Sequence, residues 1–270
     1  MQVFVRAALF VPASRPERFA KALAAGAEAV IIDLEDAVEH TLKDQAREHL
    51  EQFALAHPEA SFMVRINGAA SAWFEQDLQV CSALPGVQAI VLPKAESARQ
   101  VQQVSSTGKA VLPIVESARG VLALNDIAAA PGVLRLSFGS LDLMLETGTT
   151  PDTSGARILL DHIRSQILLC SAAHGLQAPL DGVYPNFSDL DGLSALARQV
   201  RDMGFGGMLC IHPKQIPVIQ SAFAPGKAEK EWAQRVVETA ESTGSLAFQI
   251  DGKMVDAPVI ERARRILACM

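Results

Sequence analysis

Eight short apolar runs rich in β-branched residues recur along the 270-residue chain, most of them followed by polar residues and a stretch of helical periodicity. Parallel strands buried on both faces alternate with amphipathic helices in this way, so the sequence predicts an α/β fold, a (β/α)8 or TIM barrel, with a C-terminal helix-hairpin-helix extension. Two further observations agree. The composition, 49% AVILMFWYC and 20% charged, is that of a soluble globular protein. No Pro/Ser/Gly-rich or like-charged linker divides the chain, and closed barrels of about 250 residues are routine as one unit.

The first run, 7–11 (AALFV), leads to a helix over 16–25, opened by Pro16, whose fixed φ suits a first helical turn. The second, 29–34 (AVIIDL), leads to a helix over 42–56, and the third is 62–66 (FMVRI). The fourth, 89–92 (AIVL), precedes a helix over 95–105, and the fifth, 110–115 (AVLPIV), a helix over 117–130 with Ser117 as its N-terminal signal. After the sixth, 134–138 (LRLSF), comes a helix over 157–173, and the longer gap before Ala178 predicts an extra loop or short helix there. The seventh, 178–183 (APLDGV), precedes a helix over 189–203, and the eighth is 207–211 (GMLCI). Beyond about residue 224 the rhythm changes: a charged helix over 228–242, an alternating segment 246–254 (LAFQIDGKM) turning at Asp251-Gly252, and a short helix from Pro258. The domain reading is therefore a catalytic barrel over 1–224 and an appendage over 225–270.

A net charge of −6 with no basic run argues against nucleic acid or an anionic membrane as the main partner. Cys81, Cys170, Cys210 and Cys269 lie far apart without CxxC or CxxH spacing, which predicts free thiols in a reducing compartment rather than zinc or disulfides. The first residues lack the h-region and cleavage site of a signal peptide, and no window approaches a membrane span, so the cytoplasm is the expected location.

Polar residues cluster where the strand runs end: Asp33, Glu35 and Asp36; Arg65 and Asn67; Lys94; Glu116; Ser140 and Asp142; His212. Any one of them could be a helix N-cap or an ion-pair partner. In a TIM barrel, however, all these ends converge on one mouth, where active sites lie. So many carboxylates beside one Arg and one Lys repel each other unless a cation is bound, which points to a divalent metal. Oxygen donors without Cys favour Mg²⁺, an ion that keeps several waters and takes the rest from its ligand. Arg65, planar and permanently charged, suits a bidentate clamp on a substrate carboxylate or oxyanion.

The stretches LFVPASRPERFAKA, VIIDLEDAV, VRING, IVLPKAES, PIVESARGV, LSFGSLDL, DGVYPNFSDLDGL and GFGGMLCIHPKQI, in order over residues 7–222, resemble those of the citrate lyase β-subunit family of the HpcH/HpaI aldolase superfamily. That family includes malyl-CoA, methylmalyl-CoA and citramalyl-CoA lyases. The resemblance implies Mg²⁺ ligands at Glu116 and Asp142, Arg65 as substrate-binding and catalytic arginine, and Gly139 against the substrate. It implies that Asp33, Glu35 and Asp36 hold metal waters and nearby cations, with Lys94 as their ion-pair partner at the substrate. Phe10, Arg15, Lys21, Ile211 and His212 match positions that meet the CoA part. DGKMVDAP resembles a segment that covers a neighbouring subunit's mouth and supplies a catalytic Asp, here Asp256, whose alternative reading is a helix N-cap before Pro258. A homo-oligomer, trimer or hexamer, is thereby implied.

The implied reaction is reversible cleavage of a 3-hydroxyacyl-CoA, of citramalyl, malyl or citryl type, to acetyl-CoA and a 2-oxo acid. Three readings compete: a citrate lyase β subunit acting on citryl-acyl carrier protein, a Mg²⁺ aldolase of free 2-oxo-4-hydroxy acids, and a silent acyl-CoA-binding paralogue. The acyl group itself stays open, since pockets separate one methylene by only about 1–3 kcal/mol.

Overall fold

A computed structural model describes residues 4–268. Eight parallel strands close into a barrel in chain order: β1 (Ala7–Pro12), β2 (Ala29–Asp33), β3 (Phe62–Arg65), β4 (Val87–Leu92), β5 (Ala110–Val115), β6 (Ser137–Phe138), β7 (Leu180–Asp181) and β8 (Gly207–Cys210), with β8 pairing back onto β1. Alternate residues point inward, and Ala8, Ile31, Met63, Ala89, Leu112, Ile114, Leu180 and Leu209 fill the interior as a continuous apolar cluster. The outer faces of the same strands are equally apolar, with Val30, Ile32, Val64 and Ile90 buried. This two-sided burial is why the strands read as unbroken apolar runs.

Two strands are shorter than their runs. β6 begins only at Ser137, because the chain before it is diverted into pairing with β5 through a Val111–Val133 bridge. β7 is confined to Leu180–Asp181: Pro179 before it has no N–H to give to a ladder. The predicted helix over 117–130 is two shorter ones, Ala118–Leu122 and Leu124–Ala129. The segment over 16–25 opens as a 3-10 turn before the helix Phe19–Leu23. A helix the sequence reading did not name, Phe74–Ala83, follows β3; Phe74, Leu78 and Cys81 mark its buried face at i, i+4 and i+7. The long gap before β7 holds the short helix Ser140–Thr147 as well as Ser154–Ala173.

The chain divides into two compact units, 1–222 and 223–270. In the second, the helices Lys227–Thr243 and Ala257–Ala268 pack through Ala233, Val236, Ile260 and Ala263, joined by the antiparallel hairpin β9 (Phe248–Ile250) and β10 (Lys253–Val255). Asp251 and Gly252 form its two-residue turn with φ of 52° and 75°, the left-handed pair that matches strand twist. Cys81, Cys170 and Cys210 are free thiols, and Cys269 lies outside the described residues. No described helix is long and apolar enough to cross a membrane.

Candidate active site

Asp33 ends β2, Arg65 ends β3, and the two are register partners. Arg65 donates from Nε to Asp33 Oδ1 at 2.7 Å and from Nη2 to Oδ2 at 2.6 Å. Its Nη1 stands 3.1 Å from Glu35 Oε2, and its guanidinium carbon lies 4.7 Å over the Phe10 ring. The bidentate edge that the sequence reading assigns to a substrate is thus occupied by Asp33. Arg65 has five N–H donors, so it can reach a ligand only with those left over, from a plane that Asp33 and Phe10 fix. Asp33 also accepts from the amides of Glu35 (2.9 Å) and Ala37 (3.3 Å), shaping the loop that carries Glu35 and Asp36. Lys43, which sequence reasoning missed, is buried and donates to the carbonyls of Leu34 and Glu35, both at 2.7 Å. Nothing local in the sequence marks it; its partners come from an earlier loop.

At the end of β4, Lys94 takes a left-handed φ of 50°. There its Nζ pairs with Glu35 and stands 3.5 Å from Asp36 Oδ1, while its backbone N–H donates to Glu116 Oε1 at 2.7 Å. Burial opposes the charge on both Arg65 and Lys94, but the surrounding carboxylates outweigh it and raise both pKa values. Burial raises that of Glu35 despite its two cations.

Glu116 follows β5, held at the mouth because Ser117 turns at once into a helix N-cap, accepting from the Gly120 amide at 3.1 Å. Across from it, Gly139 leads from β6 into the helix Ser140–Thr147, whose first turn carries Asp142. A Cβ at Gly139 would overlap Glu116 Oε2 and stand 2.8 Å from Glu116 Cβ. Burial, with repulsion from Glu35 and Asp142 outweighing the Lys94 amide, pushes the Glu116 carboxyl up to about 7.

Phe10, Asp36, Arg65, Glu116, Gly139 and Asp142 line one cavity of about 110 Å³, floored by Ile114, Val183 and Leu209. The expected repulsion is narrower than the sequence reading has it: Asp33 and Glu35 are neutralised by Arg65 and Lys94, so the demand for a cation falls on Glu116 and Asp142. Among the described residues no group of three or more His, Cys, Asp or Glu is arranged to hold an ion. A pair of carboxylates on a small polar cavity, one with its charge disfavoured, is a donor set that fits an ion retaining several waters, as Mg²⁺ does.

The remaining predicted residues are not among those that line this cavity. Arg15 and Lys21 are exposed and make no ion pair or hydrogen bond from their side chains among the described residues. His212 caps the turn Pro213–Gln215, accepting from the Lys214 amide at 3.1 Å, and stacks on Phe187. Ile211 is exposed beside it. Asn67 does not face the cavity; its amide groups are bonded to buried Asp77 on Phe74–Ala83, which also pairs with Arg47. Asp256 belongs to the second unit, where its backbone carbonyl and Oδ1 accept from Ile260 (2.9 Å) and Val259 (3.4 Å) at the start of Ala257–Ala268.

Comparisons place the chain among known proteins. The family model described as HpcH/HpaI aldolase/citrate lyase matches residues 6–213. A citrate lyase subunit beta-like protein of Mycobacterium tuberculosis is 41% identical over 96% of this chain and 93% of the relative. A (3S)-malyl-CoA thioesterase of Cereibacter sphaeroides is 35% identical over 97% and 93%. Among solved structures, that of CitE from Mycobacterium tuberculosis in complex with magnesium, acetoacetate and coenzyme A superposes with a TM-score of 0.86 at 38% identity, covering 100% of this chain and 99% of that one.

Proposed function

The chain belongs to the HpcH/HpaI aldolase/citrate lyase family, and on that premise we propose that it is a Mg²⁺-dependent carbon-carbon lyase of a 3-hydroxyacyl-CoA. The observation that carries the reading is the pairing of two uncompensated carboxylates, Glu116 and Asp142, with a clamped arginine on one cavity of about 110 Å³. Glu116 and Asp142 would hold the ion. When bound, Mg²⁺ supplies Lewis acidity to hydroxyl and carboxylate oxygens.

In cleavage, the C3 hydroxyl gives up its proton to water, the C2–C3 bond breaks, C3 becomes the carbonyl of a 2-oxo acid, and the electron pair leaves as a thioester enolate that takes a proton at C2 from the general acid, Asp256, to become acetyl-CoA. Arg65 contributes a fixed positive charge where the enolate or product carboxylate gathers charge. Asp33 and Phe10 hold its plane, so little reorganisation is needed as charge develops. Lys94 keeps Glu35 neutralised and fixes Glu116 through its backbone N–H. Arg15 and Lys21, unpaired and exposed, suit the phosphates of CoA, with Ile211 and His212 near the thioester arm. Asp256, reaching a neighbouring subunit of a trimer or hexamer, would protonate the enolate in cleavage and deprotonate the thioester in condensation.

The malyl-CoA thioesterase relatives favour one second reading, hydrolysis of the thioester at the same site. Incubating the protein with citramalyl-CoA, malyl-CoA and citryl-CoA, with Mg²⁺ or with EDTA, tests the proposal. One of them should give a 2-oxo acid only when Mg²⁺ is present; metal-independent turnover, or none with any of the three, contradicts it.

A further inference from the structure

Away from the mouth, the N-terminal ends of the strands enclose a second and larger cavity, about 350 Å³, lined by Val5, Ala29, Phe62, Met63, Arg135 and Gln177 among others. Arg135 is 4% exposed, and among the described residues its one hydrogen-bond partner is Gln177 Oε1, which accepts from Nη2. Its Nε–H is buried and has no hydrogen-bond partner among the described residues. A buried guanidinium in a folded protein is ordinarily paired, because an uncompensated charge out of water is among the costliest features a fold can carry. Arg164, 5% exposed, shows the usual solution: Nε and Nη2 donate to Asp181 at 3.0 and 3.1 Å.

Among the described residues no carboxylate acts on Arg135. The one acidic residue lining the cavity, Glu28, is already engaged by Arg6 (3.0 Å), the Ala7 amide (2.9 Å) and Gln220 (3.1 Å). Burial alone acts on the Arg135 guanidinium and pushes its pKa down to about 10, still high enough to keep it charged at neutral pH. The cavity therefore has in its lining one positive charge that no carboxylate among the described residues offsets, and a wall that is otherwise mostly apolar.

We propose that this cavity, at the opposite end of the barrel from the candidate active site, binds a small organic monocarboxylate whose carboxylate pairs with Arg135 and whose short apolar chain packs on Val5, Phe62 and Met63. One uncompensated cation matches one negative charge better than a dianion such as phosphate. The apolar wall matches a hydrocarbon chain better than an inorganic ion. The volume lies in the range of ordinary small-molecule pockets, roughly 300–1,000 Å³. The inference stands independently of the reaction proposed above.

Isothermal titration of the full-length, EDTA-treated protein with butyrate, its uncharged isostere butyramide, and inorganic phosphate tests it. Butyrate should bind once per chain, at least 10-fold tighter than either of the others. The affinity should fall at least 10-fold in Arg135→Met and persist in Glu116→Gln, which separates this cavity from the mouth. Should Arg135→Met fail to fold, methyl-labelled methionine in the wild-type protein gives a second reading: the Met63 resonance should move and saturate with butyrate but not with butyramide. Equal responses to butyrate and butyramide, tighter binding of phosphate, loss of butyrate binding in Glu116→Gln, or an unmoved Met63 would each overturn the proposal.

Discussion

Gly139 approaches Glu116 so closely that a methyl group on it would overlap the Glu116 carboxylate oxygen Oε2. The residue at the end of β6 thereby sets where the carboxylate after β5 can sit. Its φ of −104° is open to any residue, so the restriction is steric and local.

Gly139→Ala should leave the barrel folded and displace the Glu116 carboxylate from the cavity. Outer-shell changes of this kind typically lower metal affinity by roughly 10- to 100-fold. Calorimetric titration with Mg²⁺ or Mn²⁺ measures this; an affinity equal to wild type would show that Glu116 is not held where a metal needs it.

Asp33→Asn leaves Arg65 without its bidentate partner, at a residue that is 1% exposed. Removing one partner of a buried ion pair costs about 3–5 kcal/mol; Glu35 and solvent at the mouth still meet Arg65, so the lower end, about 3 kcal/mol, is expected. Urea unfolding should show a lower midpoint with an unchanged slope. A loss below about 0.5 kcal/mol, the size of an ordinary surface change, would contradict the clamp.

The raised Glu116 carboxyl makes a signed prediction for the metal-free protein. Its folded value is about 7 against a usual 4.5, so between those pH values the folded state binds more protons than the unfolded one. Stability must then fall as pH rises through that window, by up to about 3 kcal/mol, with the penalty complete above pH 7. Glu116→Gln removes the charge, so in EDTA it should be more stable than wild type at pH 8 and closer to it at pH 5. Denaturant curves at the two pH values decide; a variant less stable at pH 8 contradicts the assignment.

The fold was largely legible because burial on both faces writes each strand as an apolar run. Where the physics departs from that rule the reading overshot: Pro179 cannot join a ladder, and the start of the sixth run is diverted to Val111. Strand ends named Asp33, Arg65, Lys94, Glu116 and Asp142 because the barrel brings them to one mouth. What strand position cannot convey is which charges cancel. The Asp33–Arg65 fork follows from cross-strand register, the Lys94–Glu35 pair from a left-handed backbone at Lys94, and the Lys43 bonds from a helix meeting an earlier loop. Asn67 shows the converse: a polar residue at a strand end that is taken up by buried Asp77.

Asp256→Asn should retain Mg²⁺ binding and lose cleavage, since a positioned general acid–base contributes typically 10²- to 10⁴-fold. Arg65→Ala should be inactive for a different reason. Mixing the two variants and allowing subunits to exchange should restore part of the activity if Asp256 serves a neighbour's mouth. Full activity of Asp256→Asn, or a mixture that stays silent while exchange is demonstrated, would contradict that role.

The most direct measurement is the identity of the thioester product. With Mg²⁺ and the thioester that turns over fastest, chromatography with mass detection should find acetyl-CoA and a 2-oxo acid in equal amounts, and neither with Glu116→Ala. Free CoA appearing with an intact hydroxy acid would show that the thioester bond, and not the carbon-carbon bond, is the one this site breaks.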